Sequence, residues 1–252
     1  NKRGTMKTIG VIPARWASTR FPGKVLAQIH GKPMIQYVWQ QAQKAKLLTD
    51  VIVACDDDRV FRVVKSFGGK PVMTSMEHPS GTDRIAEAVG DMKVDVVVNI
   101  QGDEPLVPPE VIDVLAEALI KDEDAPMATV VKRITQPALL ENPNVVKAVI
   151  NRKHEALYFS RFAVPFNREA KSFSETVYYQ HLGLYAYRRD FLMKFDQLPK
   201  SLLEETEKLE QLRVLEAGYR ILVVETDYET IGVDTPEDLT RVIQMIPGEA
   251  HG

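Results

Sequence analysis

VDVVVNIQGDEPLVPPEVIDVLAEALIKD, residues 94–122, holds in one stretch the pattern that decides the fold. VDVVVNI (Val94 to Ile100) is the most apolar of the strand-like runs, rich in valine. A strand this apolar is buried on both faces, as in a parallel sheet covered by helices. PPEVIDVLAEALIKD then repeats its apolar residues at helical spacing. Asp103 and Glu104 stand between the two.

The same alternation runs upstream. KTIGVIPA (Lys7 to Ala14), VIVACD (Val51 to Asp56) and PVMTS (Pro71 to Ser75) read as strands. PMIQYVWQQAQKA, DDRVFRVVKSFGG and SGTDRIAEAV read as helices, the first with Pro33 in its first turn and the second stopped by Gly68 and Gly69. After about residue 125 the texture changes. MATVVKRI, VVKAVINRK, ALYFSRFAVP and HLGLYAYRR read as strands with fewer helices between them, an inserted or antiparallel layer. SLLEETEKLEQLRVLEAG (Ser201 to Gly218) reads as one long helix. RILVVET is a further strand and TPEDLTRVIQMI a closing helix. The expected fold is α/β: a mostly parallel central sheet flanked by helices, with a smaller inserted lobe of mixed sheet and helix. No repeat or Gly/Ser linker divides the chain. Residues 6–252 therefore read as one domain, with a core of about 6–125 plus 219–252 and a lobe of about 126–218. Residues 1–5, ahead of Met6, read as a cloning remnant.

Composition narrows the function. The 252 residues are 44% hydrophobic and 27% charged, with a formal net charge of −3. This balance speaks against general nucleic-acid binding, which needs a basic face. No apolar run is long enough to cross a bilayer, and no signal peptide precedes the first strand. The single cysteine, Cys55, lies in the apolar run VIVACD and reads as a core residue of a protein kept in a reducing compartment.

In open α/β sheets ligands bind beyond the carboxyl ends of the strands, so the segments after strands carry the chemistry. PARWASTRFPGK (Pro13 to Lys24) follows the first strand and carries Arg15, Arg20 and Lys24 with no acid. It matches neither GxGxxG nor GxxxxGK[ST], which removes support for a dinucleotide site or a Walker-type kinase. Arginine grips phosphate oxygens in pairs and lysine acts as a point charge, so the loop suits a polyphosphate. The bland alternative is a solvated loop with incidental charges. Asp103, after the most apolar strand, is expected at the same edge. A carboxylate beside a polyphosphate needs a cation between them, and Mg²⁺ is the natural one. GVDTPEDL (Gly232 to Leu239) offers a second carboxylate. Pro236 fits the first helical position, Thr235 the N-cap and Asp238 the capping-box position, which leaves Asp234 free to bind metal.

IPARWASTRFPGK, HGKPMI, the SGTDR beginning at Ser80, NIQGDEP, ALYFSRFAVP, HLGLYAYR, LEQLRVLEAG and GVDTPEDL occur in that order over nearly the whole chain. Together they resemble the cytidylyltransferase family that activates 3-deoxy-D-manno-octulosonate (Kdo). One departure is visible: the family often has proline after the loop lysine, where Val25 stands here. The resemblance implies a glycosyltransferase-A-like nucleotidyltransferase fold. It implies transfer of CMP from CTP to the anomeric 2-hydroxyl of Kdo, with release of pyrophosphate. It also implies Mg²⁺, a homodimer and a place in lipopolysaccharide synthesis in the bacterial cytoplasm.

On this likeness Arg15 and Lys24 hold the triphosphate, with Arg20 assisting, and Asp103 and Asp234 hold the metal. The nucleotide pocket includes Ala14, Ser80, Gly81, Arg84 and Gln101. The sugar is expected to meet Gln101, Arg161, His181, Tyr185, Glu210 and Gln211. Ser80 and Thr82 read equally as helix caps, His181 as a structural histidine and Glu210 as a solvated charge. Rival readings are a cytidylyltransferase for 8-amino-Kdo or a sialic-acid-like sugar, and a non-catalytic nucleotide-sugar sensor.

Overall fold

The computed structural model describes residues 5–169 and 172–248. The chain forms two compact units. One runs to Ala116 and resumes at Thr230, and the other is Glu117–Glu229.

The first unit begins with strand β1 (Thr8–Ala14), followed by a minimal hairpin of β2 (Gln28–Ile29) and β3 (Lys32–Pro33). Helix α1 (Met34–Gln43), strand β4 (Asp50–Cys55), helix α2 (Asp58–Ser66) and strand β5 (Pro71–Met73) follow. Helix α3 (Gly81–Val89), strand β6 (Val96–Asn99) and helix α4 (Pro109–Lys121) complete the series. β6, β1, β4 and β5 pair in that order, all parallel. Val96, Val97 and Val98 are fully buried, as their composition requires. α1, α2 and α3 pack on β4, and α1 and α3 also on β1. Cys55 is buried in this core, and burial first, then the charge of Asp56, pushes its thiol up to about 11. Pro33 sits one residue before the expected position, as the N-cap of α1.

The second unit carries β7 (Met127–Arg133), α5 (Pro137–Glu141), β8 (Lys147–Ile150), β9 (Ala156–Ser160), β10 (Tyr179–Arg188) and α6 (Arg189–Leu192). Then come α7 (Leu202–Glu207), α8 (Gln211–Glu216) and β11 (Ile221–Glu225). β7 runs parallel to β11 and antiparallel to β10, and β8 lies antiparallel to both β10 and β9. The pairing is therefore mixed: antiparallel for β7, β8, β9 and β10, as the texture of the sequence predicts, with one parallel pair, β7–β11, that it does not.

The single long helix expected over Ser201–Gly218 is corrected. It breaks at Lys208, which takes a left-handed conformation with φ 56°. The break buries Leu209 and frees two carbonyls, of Glu207 and Lys208, which accept from the Arg161 guanidinium. Burial and these bonds outweigh the helix propensity of the segment.

The chain returns to the first unit with α9 (Pro236–Met245). Val233 and Val242 pack with Ile29 and Met34 in one buried cluster. This cluster fastens the Gly232–Leu239 segment beside the β2–β3 hairpin. No helix among the described residues is long and apolar enough to cross a membrane.

Candidate functional site

The carboxyl ends of β1 and β6 approach each other closely. A Cβ at Gly102 would lie 2.5 Å from the carbonyl oxygen of Pro13, so only glycine fits there. Asp103 follows at once. Its carbonyl accepts from Val233 N–H at 2.9 Å, which sets the loop before α9 next to the loop after β6. Asp234 is thereby held beside Asp103. The cap of α9 forms as expected: Thr235 Oγ1 accepts from Asp238 N–H, and Asp238 accepts from Thr235 N–H and from Asp234 N–H.

The basic loop folds back on itself. Gly23, at φ 67°, donates its N–H to Trp16 O, and its Cα lies against the indole, where a Cβ would come within 2.7 Å of the ring. The other interaction of the ring is with the Arg59 guanidinium, 3.5 Å from the centroid, itself held by two bonds to Asp57. Lys24 then opens a 3-10 turn in which Val25 is buried. The turn directs Lys24 Nζ between the two carboxylates, 3.1 Å from Asp103 Oδ2 and 3.1 Å from Asp234 Oδ1. The Lys24 side chain is only 14% exposed and Asp103 28%, while Asp234 is 52% exposed, so the cluster is open to solvent on the Asp234 side.

Glu104 is buried, and its Oε2 has no hydrogen-bond partner among the described residues. Burial first, then the charges of Asp103 and Asp234, push its carboxyl up to about 8. The neutral form adds no third negative charge to the cluster at neutral pH.

A cavity of about 380 Å³ opens over this cluster, the size of a small-ligand site. Of the expected residues, Arg15, Lys24, Asp103 and Asp234 line it, and so do Ser80, Gly81, Arg84 and Gln101. Ala14 is buried at the end of β1, and Arg20 is exposed; neither is among the lining residues. Ser80 caps α3 by accepting from Asp83 N–H, and it also borders the cavity. Arg84 is buried and donates to Thr74 Oγ1 at 2.7 Å and to Ser75 O at 2.9 Å. It also pairs with Asp56, which accepts from Trp16 N–H at 2.8 Å. One ion pair thus ties the cavity wall to the base of the phosphate-type loop.

Sequence reading missed His78, which lines the cavity. Its Nε2 contacts Glu87 Oε2, and Glu87 also accepts from Ser75 N–H. Only its position two residues before Ser80 hinted at the site.

Of the residues expected to meet the sugar, Gln101 belongs to the first unit, and Arg161, His181, Tyr185, Glu210 and Gln211 belong to the second. His181, Tyr185 and Gln211 form one cluster: Gln211 Nε2 is 3.3 Å from His181 Nδ1, and Tyr185 Oη is 3.5 Å from Gln211 Oε1. Burial alone drives the His181 pKa down to about 3, so the ring is neutral. Burial first, then the charge of Glu210, raises the Tyr185 phenol. The Arg161 guanidinium donates to three carbonyls, of Glu207, Pro143 and Lys208. Glu210 precedes α8 and borders a cavity of about 560 Å³ with Lys200 and Arg213.

A parallel α/β sheet whose carboxyl edge bears a cationic loop, two carboxylates and a cavity of this size defines a nucleotide-handling enzyme of the nucleotidyltransferase class. A family model described as Cytidylyltransferase matches residues 9–223, and the chain belongs to that family. It is 52% identical over 239 residues to a protein of Solibacter usitatus named 3-deoxy-manno-octulosonate cytidylyltransferase, covering 95% of this chain and 94% of that one. It is 50% identical over 249 residues to the protein of that name from Geobacter metallireducens, covering 96% and 98%. Among solved structures it is similar to CMP:2-keto-3-deoxy-manno-octonic acid synthetase complexed with CTP. The TM-score is 0.90 at 43% identity, over 95% of this chain and 98% of that one.

Proposed function

We infer that this chain transfers CMP from CTP to the anomeric 2-hydroxyl of Kdo and releases pyrophosphate. The likeness over nearly the full length to proteins of that activity supports the reading. The observation that carries it within the structure is Lys24 held between Asp103 and Asp234 at the floor of the cavity.

The 2-hydroxyl attacks the α-phosphorus and pyrophosphate leaves from the opposite side. Such a transfer needs positioning and charge stabilisation, not a protein nucleophile. Arg15 and Lys24 hold the triphosphate and stabilise the leaving group, with Arg20 assisting from the exposed loop. Ser80, Gly81, Arg84 and Gln101 border the nucleotide, and Ala14 forms the end of the strand beneath it. Cytosine presents an amine donor where uracil presents an acceptor, so the base needs an acceptor opposite it.

Asp103 and Asp234 are the residues that would hold Mg²⁺. The donor set fits: two hard carboxylate oxygens already share one cation, the Lys24 ammonium. When bound, the ion neutralises the phosphate and lowers the pKa of the attacking hydroxyl. The sugar is assigned to Gln101, Arg161, His181, Tyr185, Glu210 and Gln211.

We also propose a homodimer, supported by the exposed Leu157, Phe162 and Phe166 of the second unit. A cytoplasmic place in lipopolysaccharide synthesis belongs to the same reading. So does a single cytidylyltransferase domain of about 6–125 plus 219–252 with a lobe of about 126–218.

The deciding experiment is pyrophosphate release with CTP and Mg²⁺, run against Kdo, 8-amino-Kdo and sialic acid. Release with Kdo is expected. Release with only one of the others would reassign the acceptor, and none with any would leave a nucleotide-binding protein without this activity.

A further inference from the structure

The proton positions in a buried chain of the second unit follow from its acceptors. Thr129 Oγ1 lies 2.8 Å from Leu184 O. A carbonyl oxygen only accepts, so the threonine hydroxyl donates there. His181 Nε2 sits 2.7 Å from the same Oγ1 and therefore donates to it. A neutral imidazole has one N–H, so Nδ1 is the acceptor, and the Gln211 amide must turn its nitrogen toward it. Gln211 Oε1 then remains to accept from Tyr185 Oη. Thr129, His181 and Gln211 are 0%, 8% and 5% exposed, so water does not readily substitute for a lost partner.

Backbone geometry leads to the same residue. The pairing of β10 with β7 jumps from Leu182↔Val130 to Tyr185↔Thr129, which leaves Gly183 and Leu184 as a bulge. In a regular strand residues four apart are separated by about 13 Å. Here the His181 and Tyr185 rings stand 5.5 Å apart, centroid to centroid. The Thr129 hydroxyl reaches into the bulge, 2.8 Å from Leu184 O and 3.4 Å from Leu182 O.

We propose that Thr129 is a positioning residue for the acceptor sugar: its hydroxyl fixes the β10 bulge and the Nε2–H tautomer of His181, and so aims the Gln211 amide and the Tyr185 hydroxyl. The proposal rests on the reading that His181, Tyr185 and Gln211 bind the acceptor. In the other tautomer His181 would present N–H to Gln211, the amide would flip, and a donor would face Tyr185. The cluster would then offer the sugar the wrong polarity.

The test uses the full chain with CTP, Mg²⁺ and Kdo. Thr129→Val keeps the shape and removes the hydroxyl, and Thr129→Ser keeps the hydroxyl. Thr129→Val is expected to raise KM for Kdo about tenfold or more, the effect of an unpaired buried donor, with KM for CTP held within about twofold. Thr129→Ser is expected to stay near wild type. ¹⁵N spectra of the wild-type imidazoles are expected to show His181 as the Nε2–H tautomer, a readout independent of turnover and of the valine variant's folding. An Nδ1–H tautomer or an imidazolium at neutral pH overturns the proposal. So does a Thr129→Val variant that shifts both KM values alike. Gln211→Ala separates the two ideas. If it raises KM for Kdo while Thr129→Val does not, the positioning role falls and the acceptor site stands. If it leaves KM for Kdo unchanged, the acceptor reading falls, and this proposal with it.

Discussion

Lys24 carries one charge and meets two carboxylates. The three groups sum to one negative charge, which a divalent ion and a triphosphate would rearrange. On the proposed function, Lys24 would then turn to phosphate oxygens while Asp103 and Asp234 would hold the metal. Asp103→Ala and Asp234→Ala should therefore abolish turnover with a much smaller loss of CTP affinity, read by steady-state kinetics beside calorimetry. Lys24→Ala should slow turnover at saturating CTP by about 10²-fold or more, the scale of one charge-stabilising group. Near wild-type rates in any of the three would remove that residue from the site. Asp103, Asp234 and Lys24 were legible in the sequence because each follows a strand or flanks a helix cap. Their mutual pairing was not, because the 79- and 210-residue separations close only through the fold. Arg161 shows the opposite limit. Three carbonyls take its guanidinium donors, and no local pattern announces a carbonyl freed by a distant helix break.

Helix α9 is an element whose start the sequence specifies fully. Thr235 and Asp238 exchange bonds, Pro236 has no N–H to leave unpaired, and the Asp238 carboxylate also fixes Asp234 N–H. Thr235→Ala should cost about 1 kcal/mol in urea unfolding, a typical loss for a helix cap. It should also lower turnover more than the stability loss explains, since Asp234 hangs on the same cap. The segment after Ser201 shows where such reading stops. Its helical spacing continues through Lys208, and the chain still breaks there, because a continuous helix would leave Leu209 and the Arg161 guanidinium differently placed. Helix propensity acts through neighbours a few residues away; the carbonyls at the break bond to Arg161, 46 and 47 residues earlier.

The stability of the whole molecule should record the burial of His181. Its folded pKa of about 3 lies below the unfolded value of 6.5, so the unfolded chain takes up a proton that the folded chain refuses. This contribution is absent above about pH 6.5 and destabilises progressively as pH falls toward 3. At pH 5 the cost is about 2 kcal/mol. Urea unfolding of wild type and His181→Gln at pH 7.5 and pH 5 should show the wild type losing that much more than the variant. Equal losses would mean that the ring is not buried neutral.

By itself the sequence determined the parallel α/β core, the change to a largely antiparallel layer after residue 125, the cap of α9 and the family. These follow from runs of buried residues and from short motifs, whose physics is local. The tertiary structure alone decided that Lys24 stands between Asp103 and Asp234 and that Arg84 reaches Trp16 through Asp56. It alone closed the ring cluster of β10 around a bulge held by Thr129. Each of those depends on side chains far apart in the chain, brought within bonding distance by the burial of the strands and helices that carry them.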